Sequence, residues 1–138
     1  MMIPHHEQAV EMATIALENG TASNDVKALA RQIKDAQDPE VQTMKGWLGE
    51  WGAQESAGPM DHGSGGMMSD QDMSALMAAD GTDFDEMWLT MMIEHHRGAV
   101  TMAQDVLATT ANAEVRSLAT AVVEGQEQEI ATMQGMLS

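Results

Sequence analysis

Apolar residues recur every three or four positions along most of this chain, which is the spacing of amphipathic helices. The alternation of apolar and polar residues that marks β-strands is absent. Alanine and methionine, which favour helix, supply much of the apolar set, whereas there are only one Phe, three Trp and no Tyr. The pattern predicts an all-α protein, a single domain over 1–138. Its helices are predicted over residues 2–19, from an N-cap at Ser23 or Asn24 to residue 51, and over 70–79, 82–109 and 113–137.

Two stretches interrupt the helical pattern. Pro39 falls inside the second helix, but the apolar stripe keeps its phase across it, which predicts one continuous, kinked helix. Residues 52–68 are rich in Gly, Ser and Pro and have no apolar period, so they are predicted to be a linker. Ser69, with Asp72 three residues later, has the pattern of a capping box and predicts that a short helix starts within 69–80.

One stretch of thirteen residues occurs twice. Residues 1–13 read MMIPHHEQAVEMA and residues 91–103 read MMIEHHRGAVTMA, so nine of the thirteen positions are identical. The similarity continues into the next helix of each half, where a Gln-x-x-Glu run recurs with an offset of 89 residues. Each half, 1–51 and 91–138, is therefore predicted to be a helical hairpin. Two hairpins that bury their apolar stripes against each other form a four-helix bundle with pseudo-two-fold symmetry, and the short helix packs on one end.

Composition restricts what such a bundle can bind. Six Lys and Arg against 22 Asp and Glu give a net charge of −16, which argues against nucleic acid and anionic membrane surfaces as partners. No stretch of about 18 apolar residues is present, so no membrane-spanning segment is predicted. The absence of cysteine removes disulfides and zinc–thiolate sites. A soft-metal site would therefore use histidine and some of the 15 methionines.

Each copy of the motif places a histidine among methionines on one helical face. Side chains three, four and seven positions apart share a face of a helix. The thioethers that share this face are Met1, Met2 and Met12 around His5, and Met91, Met92 and Met102 around His95. The second histidines, His6 and His96, lie about 100° further round the helix. Residues on the partner helices that would complete a site are Glu40, Met44, Glu129 and Met133.

This donor set indicates copper. Thioether and imidazole without thiolate suit Cu(I) and Ag(I), whereas Cu(II) would use the imidazoles and a nearby carboxylate. A further cluster of the same donors lies in the linker, at Met60, His62, Met67 and Met68. The Gly-Ser surroundings of His62 make this cluster either a flexible copper-capturing arm or simply linker.

Each of these features also has a structural explanation. Methionine fills gaps in helical cores, and paired histidines beside buried Glu or Gln form satisfied polar networks, with Gln37 and Gln126 as partners. The recurrence of the same donors in both copies favours a metal site over this explanation. A di-iron carboxylate oxidoreductase is the enzymatic alternative, but it needs Glu-x-x-His on two helices. The residues three before the four motif histidines are Met or Ile, so that signature is missing, and no acid/base pair suggests catalysis.

The doubled motif Met-Ile-x-His-His-x-x-Ala-Val-x-Met-Ala, with the Met68-Ser-Asp, Asp83-Phe-Asp and Gln-x-x-Glu-Ile/Val-x-x-Met runs, resembles the bacterial family called domain of unknown function 305. The resemblance covers essentially the whole chain. It implies a ferritin-like helical bundle that is exported as a secreted or lipid-anchored envelope protein, binds copper and silver, and supports copper tolerance. The implied ligands are His5, His6, Met12, His95, His96 and Met102, with Met1, Met2, Met91 and Met92 beside them. Pro39 stands where the second copy has Gln128, so the two copies need not be equivalent as sites.

Together these observations favour a non-enzymatic, extracytoplasmic protein that binds copper, as Cu(I) or Cu(II), and silver. It would sequester the metal or exchange it with a copper donor or acceptor protein. The alternative is a structural or interaction bundle of the cell envelope whose histidine pairs are satisfied core groups.

Overall fold

The structure is a computed structural model that describes residues 2–51 and 68–137. These two ranges contain five α-helices and no β-strand. The helices are α1 (Met2–Glu18), α2 (Asn24–Trp51), α3 (Asp70–Ala78), α4 (Gly81–Thr109) and α5 (Ala113–Leu137). The predicted all-α architecture and its five helices are confirmed.

The chain packs as two antiparallel hairpins. Helix α1 packs along α2, and α4 packs along α5, as the repeat predicts. The two hairpins meet chiefly through α1 and α4, the helices that carry the two copies of the motif. Helix α3 packs on α4 and buries Met73 and Leu76 in the main core. The predicted bundle of two hairpins with a short additional helix is confirmed. No helix within 2–51 or 68–137 is long and apolar enough to cross a bilayer.

The helices begin and end at residues whose side chains or conformations favour these positions. The Ser69 hydroxyl accepts from the Asp72 backbone N–H at 3.0 Å, and the Asp72 carboxylate accepts from the Ser69 N–H at 3.2 Å, which confirms the capping box. The Asn112 side-chain oxygen caps α5 by accepting from the N–H of Glu114 at 2.8 Å. Helix α4 begins at Gly81, one residue earlier than predicted, with a φ of 60° that glycine adopts without steric cost.

Helix α2 continues through Pro39 without a break, as the phase of its apolar stripe predicts. Proline has no N–H, so the Asp35 carbonyl loses its partner four residues later in the helix. Pro39 and Asp35 both lie on the exposed face of α2, where water can take the place of that donor. The helix therefore tolerates this proline, at the expense of one backbone hydrogen bond in that turn.

A buried tryptophan links the two hairpins. Trp88 on α4 is completely buried, and its indole Nε1–H donates to the Met12 carbonyl of α1 at 2.9 Å. Phe84, one turn earlier on α4, is also completely buried in the same core. The large aromatic side chains thus fill the space between α1 and α4, and one hydrogen bond fixes their register.

The last residue of the predicted linker is fixed to α1. Gln8 donates its side-chain N–H to the Met68 carbonyl at 2.9 Å and accepts from the Met68 N–H at 2.8 Å. Met68 itself is buried in the main core. The second copy of the motif has Gly98 at the position of Gln8, so only the first copy has a side chain that can make this pair of hydrogen bonds.

Replacing Trp88 should be among the most destabilising single substitutions. We expect Trp88→Ala to lower the free energy of unfolding by about 3–5 kcal/mol, because it empties a large buried volume and removes the bond to Met12. Urea denaturation followed by circular dichroism measures this loss. Met77→Ala is the matched control, since its side chain is 61% exposed, and should change the free energy by less than about 0.5 kcal/mol. Similar losses in both variants would contradict the assignment of Trp88 to the core.

Candidate metal centre

All four motif histidines are buried where the hairpins meet. His5 and His6 lie on α1, and His95 and His96 occupy the equivalent positions of α4. Each has a relative exposure of 2% or less. Histidine is only intermediate in its tendency to be buried, so four buried histidines at one helix–helix interface need polar partners or a ligand.

His5 and His95 contact each other directly. Their ring centroids are 3.7 Å apart, and the ring planes are inclined at 33°. The two residues occupy the same position in the two copies, and equivalent groups meet when they lie near a two-fold axis. The two copies of the motif therefore converge on one centre in the middle of the bundle.

His6 and His96 each face a carboxylate of the partner helix within their own hairpin. His6 Nε2 lies 2.9 Å from Glu40 Oε1, and His96 Nε2 lies 2.6 Å from Glu129 Oε1. A carboxylate accepts the hydrogen of Nε2 and thereby leaves the lone pair on Nδ1 of a neutral imidazole. This is the arrangement that orients imidazoles as metal ligands. Glu40 and Glu129, predicted as possible ligands, are placed by the structure next to the histidines.

Several buried polar atoms around this centre have no hydrogen-bond partner within the described part of the chain. Both ring nitrogens of His95 are among them, as are His96 Nδ1, both amide atoms of Gln126 and the Gln37 amide nitrogen. The expectation that Gln126 partners a histidine is therefore wrong, because neither amide atom of Gln126 has a hydrogen-bond partner within residues 2–51 and 68–137. An unsatisfied buried polar group costs about 1–3 kcal/mol. The inner part of the cluster is thus not a satisfied polar network.

Burial keeps the central histidine neutral. Desolvation by burial is the largest cause and, together with the neighbouring His5, His96 and His6, lowers the pKa of His95 from 6.5 to about 2. A neutral imidazole has a free lone pair, so His95 stays available as a ligand at mildly acidic pH.

The predicted thioether ligands lie mostly in the hydrophobic core. Met12, Met92 and Met133 are completely buried within the main core cluster, and Met91 packs against it. Met44 belongs to a smaller cluster with Ile3 and Val41, and Met102 is half-buried. These positions agree with a packing role, and they also keep thioethers in the same apolar interior as the imidazoles. The predicted residues Met1, Met60, His62 and Met67, and the Met2 side chain, lie outside the described residues.

Among the described residues, no group of three or more His, Asp or Glu side chains is close enough to hold one metal ion. Zinc sites usually need at least three such ligands when thiolates are absent. What the described residues offer is a pair of contacting imidazoles, two carboxylate-oriented imidazoles and nearby thioethers. That donor set fits a soft ion of low coordination number.

Sequence reasoning missed two contacts at the edge of this centre. The Trp88–Met12 hydrogen bond and the Gln8–Met68 pair hold α1 in place one to two turns from the histidines. The Trp88–Met12 bond could have been anticipated in part, since Trp88 lies at a core position of its helix and a buried indole N–H needs an acceptor. Nothing in the sequence indicates the second, because Gln8 lies on a polar position of α1.

Known proteins with a similar sequence and fold identify the family of this chain. A family model described as domain of unknown function (DUF305) matches residues 1–137. Among solved structures, a DUF305 fragment from Deinococcus radiodurans is 33% identical with a TM-score of 0.90, over 99% of this chain and 89% of that one. A DUF305 protein from Streptomyces coelicolor that is thought to be secreted is 35% identical with a TM-score of 0.91, over 99% and 86%. CopM in its Cu(I)-bound form is 32% identical with a TM-score of 0.81, over 99% and 89%.

CopM has also been solved with Cu(II) and with silver bound. Its Cu(II)-bound form is 32% identical to this chain, and the silver complex is 31% identical, with TM-scores of 0.77 and 0.78. Among curated proteins, none matches this chain.

The neutral state of His95 makes stability depend on pH. Its pKa is lower in the folded protein than in the unfolded chain, so below about pH 6.5 the unfolded chain binds a proton that the folded protein does not. Acidification should therefore reduce the free energy of unfolding, by at most about 1.4 kcal/mol per pH unit from this residue. Urea denaturation of the metal-free protein at pH 7 and pH 5 measures the loss. In His95→Gln the loss should be smaller by about 1–2 kcal/mol. An equal loss in both proteins would show that His95 does not stay neutral.

Proposed function

This chain belongs to the DUF305 family, and we propose that it binds copper in the buried imidazole cluster between α1 and α4. The observation that carries the proposal is the contact between His5 and His95, one imidazole from each copy of the motif, with both nitrogens of His95 lacking a hydrogen-bond partner among the described residues. A buried, neutral and unsatisfied imidazole is destabilising unless a ligand engages it.

His5 and His95 are the central ligands in this proposal. The rings now face each other at 3.7 Å, so both bind one ion only after turning until a nitrogen of each points towards it. Such a rotation needs a change of side-chain torsion angles, while α1 and α4 keep their positions. His96, whose Nε2 faces Glu129, would become a third imidazole ligand only after a similar movement, since no three His, Asp or Glu side chains of the described residues lie close enough to hold one ion as they stand.

Buried thioethers complete the donor set. Met12 lies seven residues after His5 on α1, Met92 lies three residues before His95 on α4, and both side chains are completely buried. Imidazole together with thioether, in an apolar interior without thiolate, selects Cu(I) and Ag(I) over Ca²⁺ and Mg²⁺, which require several oxygen ligands. Cu(II) would use the imidazoles with Glu40 or Glu129.

The relatives support this proposal. CopM, about one-third identical over nearly the whole chain, binds Cu(I), Cu(II) and silver. We propose that this chain works outside the cytoplasm, since a relative from Streptomyces coelicolor is thought to be secreted. Its role there is non-enzymatic: it sequesters copper or exchanges it with a donor or acceptor protein. The missing Glu-x-x-His signature supports a binding role over di-iron oxidation chemistry.

A second function is favoured by one specific observation. His6 with Glu40, and His96 with Glu129, form hydrogen-bonded pairs between the helices of each hairpin. Such pairs stabilise a bundle without any metal. On this alternative the protein is a structural or interaction bundle of the cell envelope, and the methionines are core residues.

A competition titration distinguishes the two functions. Metal-free protein is titrated with Cu(I) under anaerobic, reducing conditions against a chromogenic Cu(I) chelator, as wild type and as His5→Ala/His95→Ala. We expect the double variant to bind at least about 100-fold more weakly, because loss of even an outer-shell partner of a metal ligand costs about 10–100-fold. Circular dichroism checks that the variant keeps its helices.

Met77→Ala is the matched control, because it removes a thioether that is exposed, whereas the four motif histidines are buried. It should bind Cu(I) like the wild type. His95→Gln provides a milder test of the centre should the double variant lose its fold. Wild-type affinity in the folded histidine variants would move the copper site elsewhere, and absence of competitive binding in every protein would favour the structural alternative.

A further inference from the structure

The two carboxylates next to the histidines are not equivalent, although the repeat relates them. The Glu40 side chain is 20% exposed, whereas the Glu129 side chain is 8% exposed. The distance to the histidine is also longer at Glu40, 2.9 Å against 2.6 Å at Glu129. Both histidines are completely buried. Of the two carboxylate–histidine pairs, the one in the first hairpin thus has the more exposed carboxylate.

The backbone next to Glu40 has one helical hydrogen bond fewer than its counterpart in α5. Pro39 removes one helical hydrogen bond from the turn that carries Glu40. The equivalent residue of α5 is Gln128, which keeps its N–H, and its carbonyl accepts an additional hydrogen bond from the Thr132 hydroxyl at 3.1 Å. Local opening of a helix costs less free energy where fewer hydrogen bonds must break.

Resting on the proposed function, we propose that copper enters and leaves the buried histidines past Glu40, on the α1–α2 side, while the Glu129 side stays closed. Glu40 exchanges its hydrogen bond with His6 for a transient contact with the incoming ion, and the turn at Pro39 opens to let the ion reach the imidazoles. On this view the two hairpins contribute differently. The Glu129 side of the second hairpin stays closed to the ion, and the Glu40 side of the first hairpin opens to admit it. Glu40 is a positioning residue, which affects the rate of exchange more than the final affinity.

Stopped-flow transfer of Cu(I) from a chromogenic chelator, and back to it, tests the proposal in the full chain. Glu40→Gln should slow uptake by about tenfold, because a carboxylate that focuses cations raises association rates by at least about that factor. Release should slow equally, because a group that contacts the ion only in transit lowers the same barrier in both directions. The equilibrium distribution of copper should change far less. Glu129→Gln should slow transfer less than Glu40→Gln does. Pro39→Gln, which introduces the residue of the second copy, should also slow both directions.

Glu18→Gln is the control for loss of a negative charge, since Glu18 is an exposed carboxylate at the end of α1. It should leave both rates within about twofold of the wild type, the size expected for screened surface charges. Equal slowing by Glu129→Gln and Glu40→Gln would overturn the assignment of the entrance. So would faster release with unchanged uptake in Glu40→Gln, because the weaker binding at equilibrium would identify Glu40 as a ligand.

A measurement without metal separates this inference from the proposed function. Amide hydrogen exchange of the metal-free protein should be faster over residues 36–43 than over the equivalent residues 125–132, and Pro39→Gln should reduce the difference. Similar exchange in the two turns would overturn the proposed opening even if copper binds. Faster exchange at 36–43 in a protein that accepts no copper would contradict the proposed function and, with it, the route.

Discussion

The contact between His5 and His95 is the constraint around which the bundle is arranged. A helix that packs against its own sequence copy brings equivalent residues together near the axis that relates the copies. The motif has histidine at that position, so the centre of the bundle holds two contacting imidazoles with ring centroids 3.7 Å apart and planes inclined at 33°. Two protonated rings would repel each other strongly at this distance. The interface therefore requires neutral histidine, and burial of His95 enforces that state.

The buried histidines divide into two classes with different energetic roles. His6 and His96 have carboxylate partners, so their burial is compensated by hydrogen bonds between the helices of each hairpin. His95 has no such partner among the described residues, and its burial is offset only by the surrounding core. The two carboxylate–histidine pairs thus stabilise the bundle. The contact between His5 and His95 instead buries polar rings, which costs free energy that an apolar side chain would not. This division agrees with a rigid support around a reactive centre.

Helical periodicity and the repeat were sufficient to predict the architecture, whereas the contacts inside the centre were not predictable. The phase of the apolar stripe across Pro39 predicted the unbroken α2, and Ser69 with Asp72 predicted the start of α3. The helical faces on which His95 and Met92 lie also predicted that both side chains point into the bundle interior, where they are buried. The face does not specify rotamers, so it could not show that the His95 ring would contact the His5 ring. Nor could it show that carboxylates rather than Gln126 would partner the outer histidines. These contacts depend on distances between helices, which periodicity does not determine.

The acidic surface and the buried centre have complementary consequences for metal selection. A net charge of −16 attracts every cation, with little discrimination between hard and soft ions. An ion that enters the interior must lose its water, and Ca²⁺ or Mg²⁺ would find too few oxygen donors there to replace it. Imidazole nitrogen and thioether sulfur replace the water of Cu(I) or Ag(I) with ligands that these ions prefer. In the proposed function, the surface therefore determines how fast ions arrive, and the unsatisfied imidazole at the bundle axis determines which of them remain.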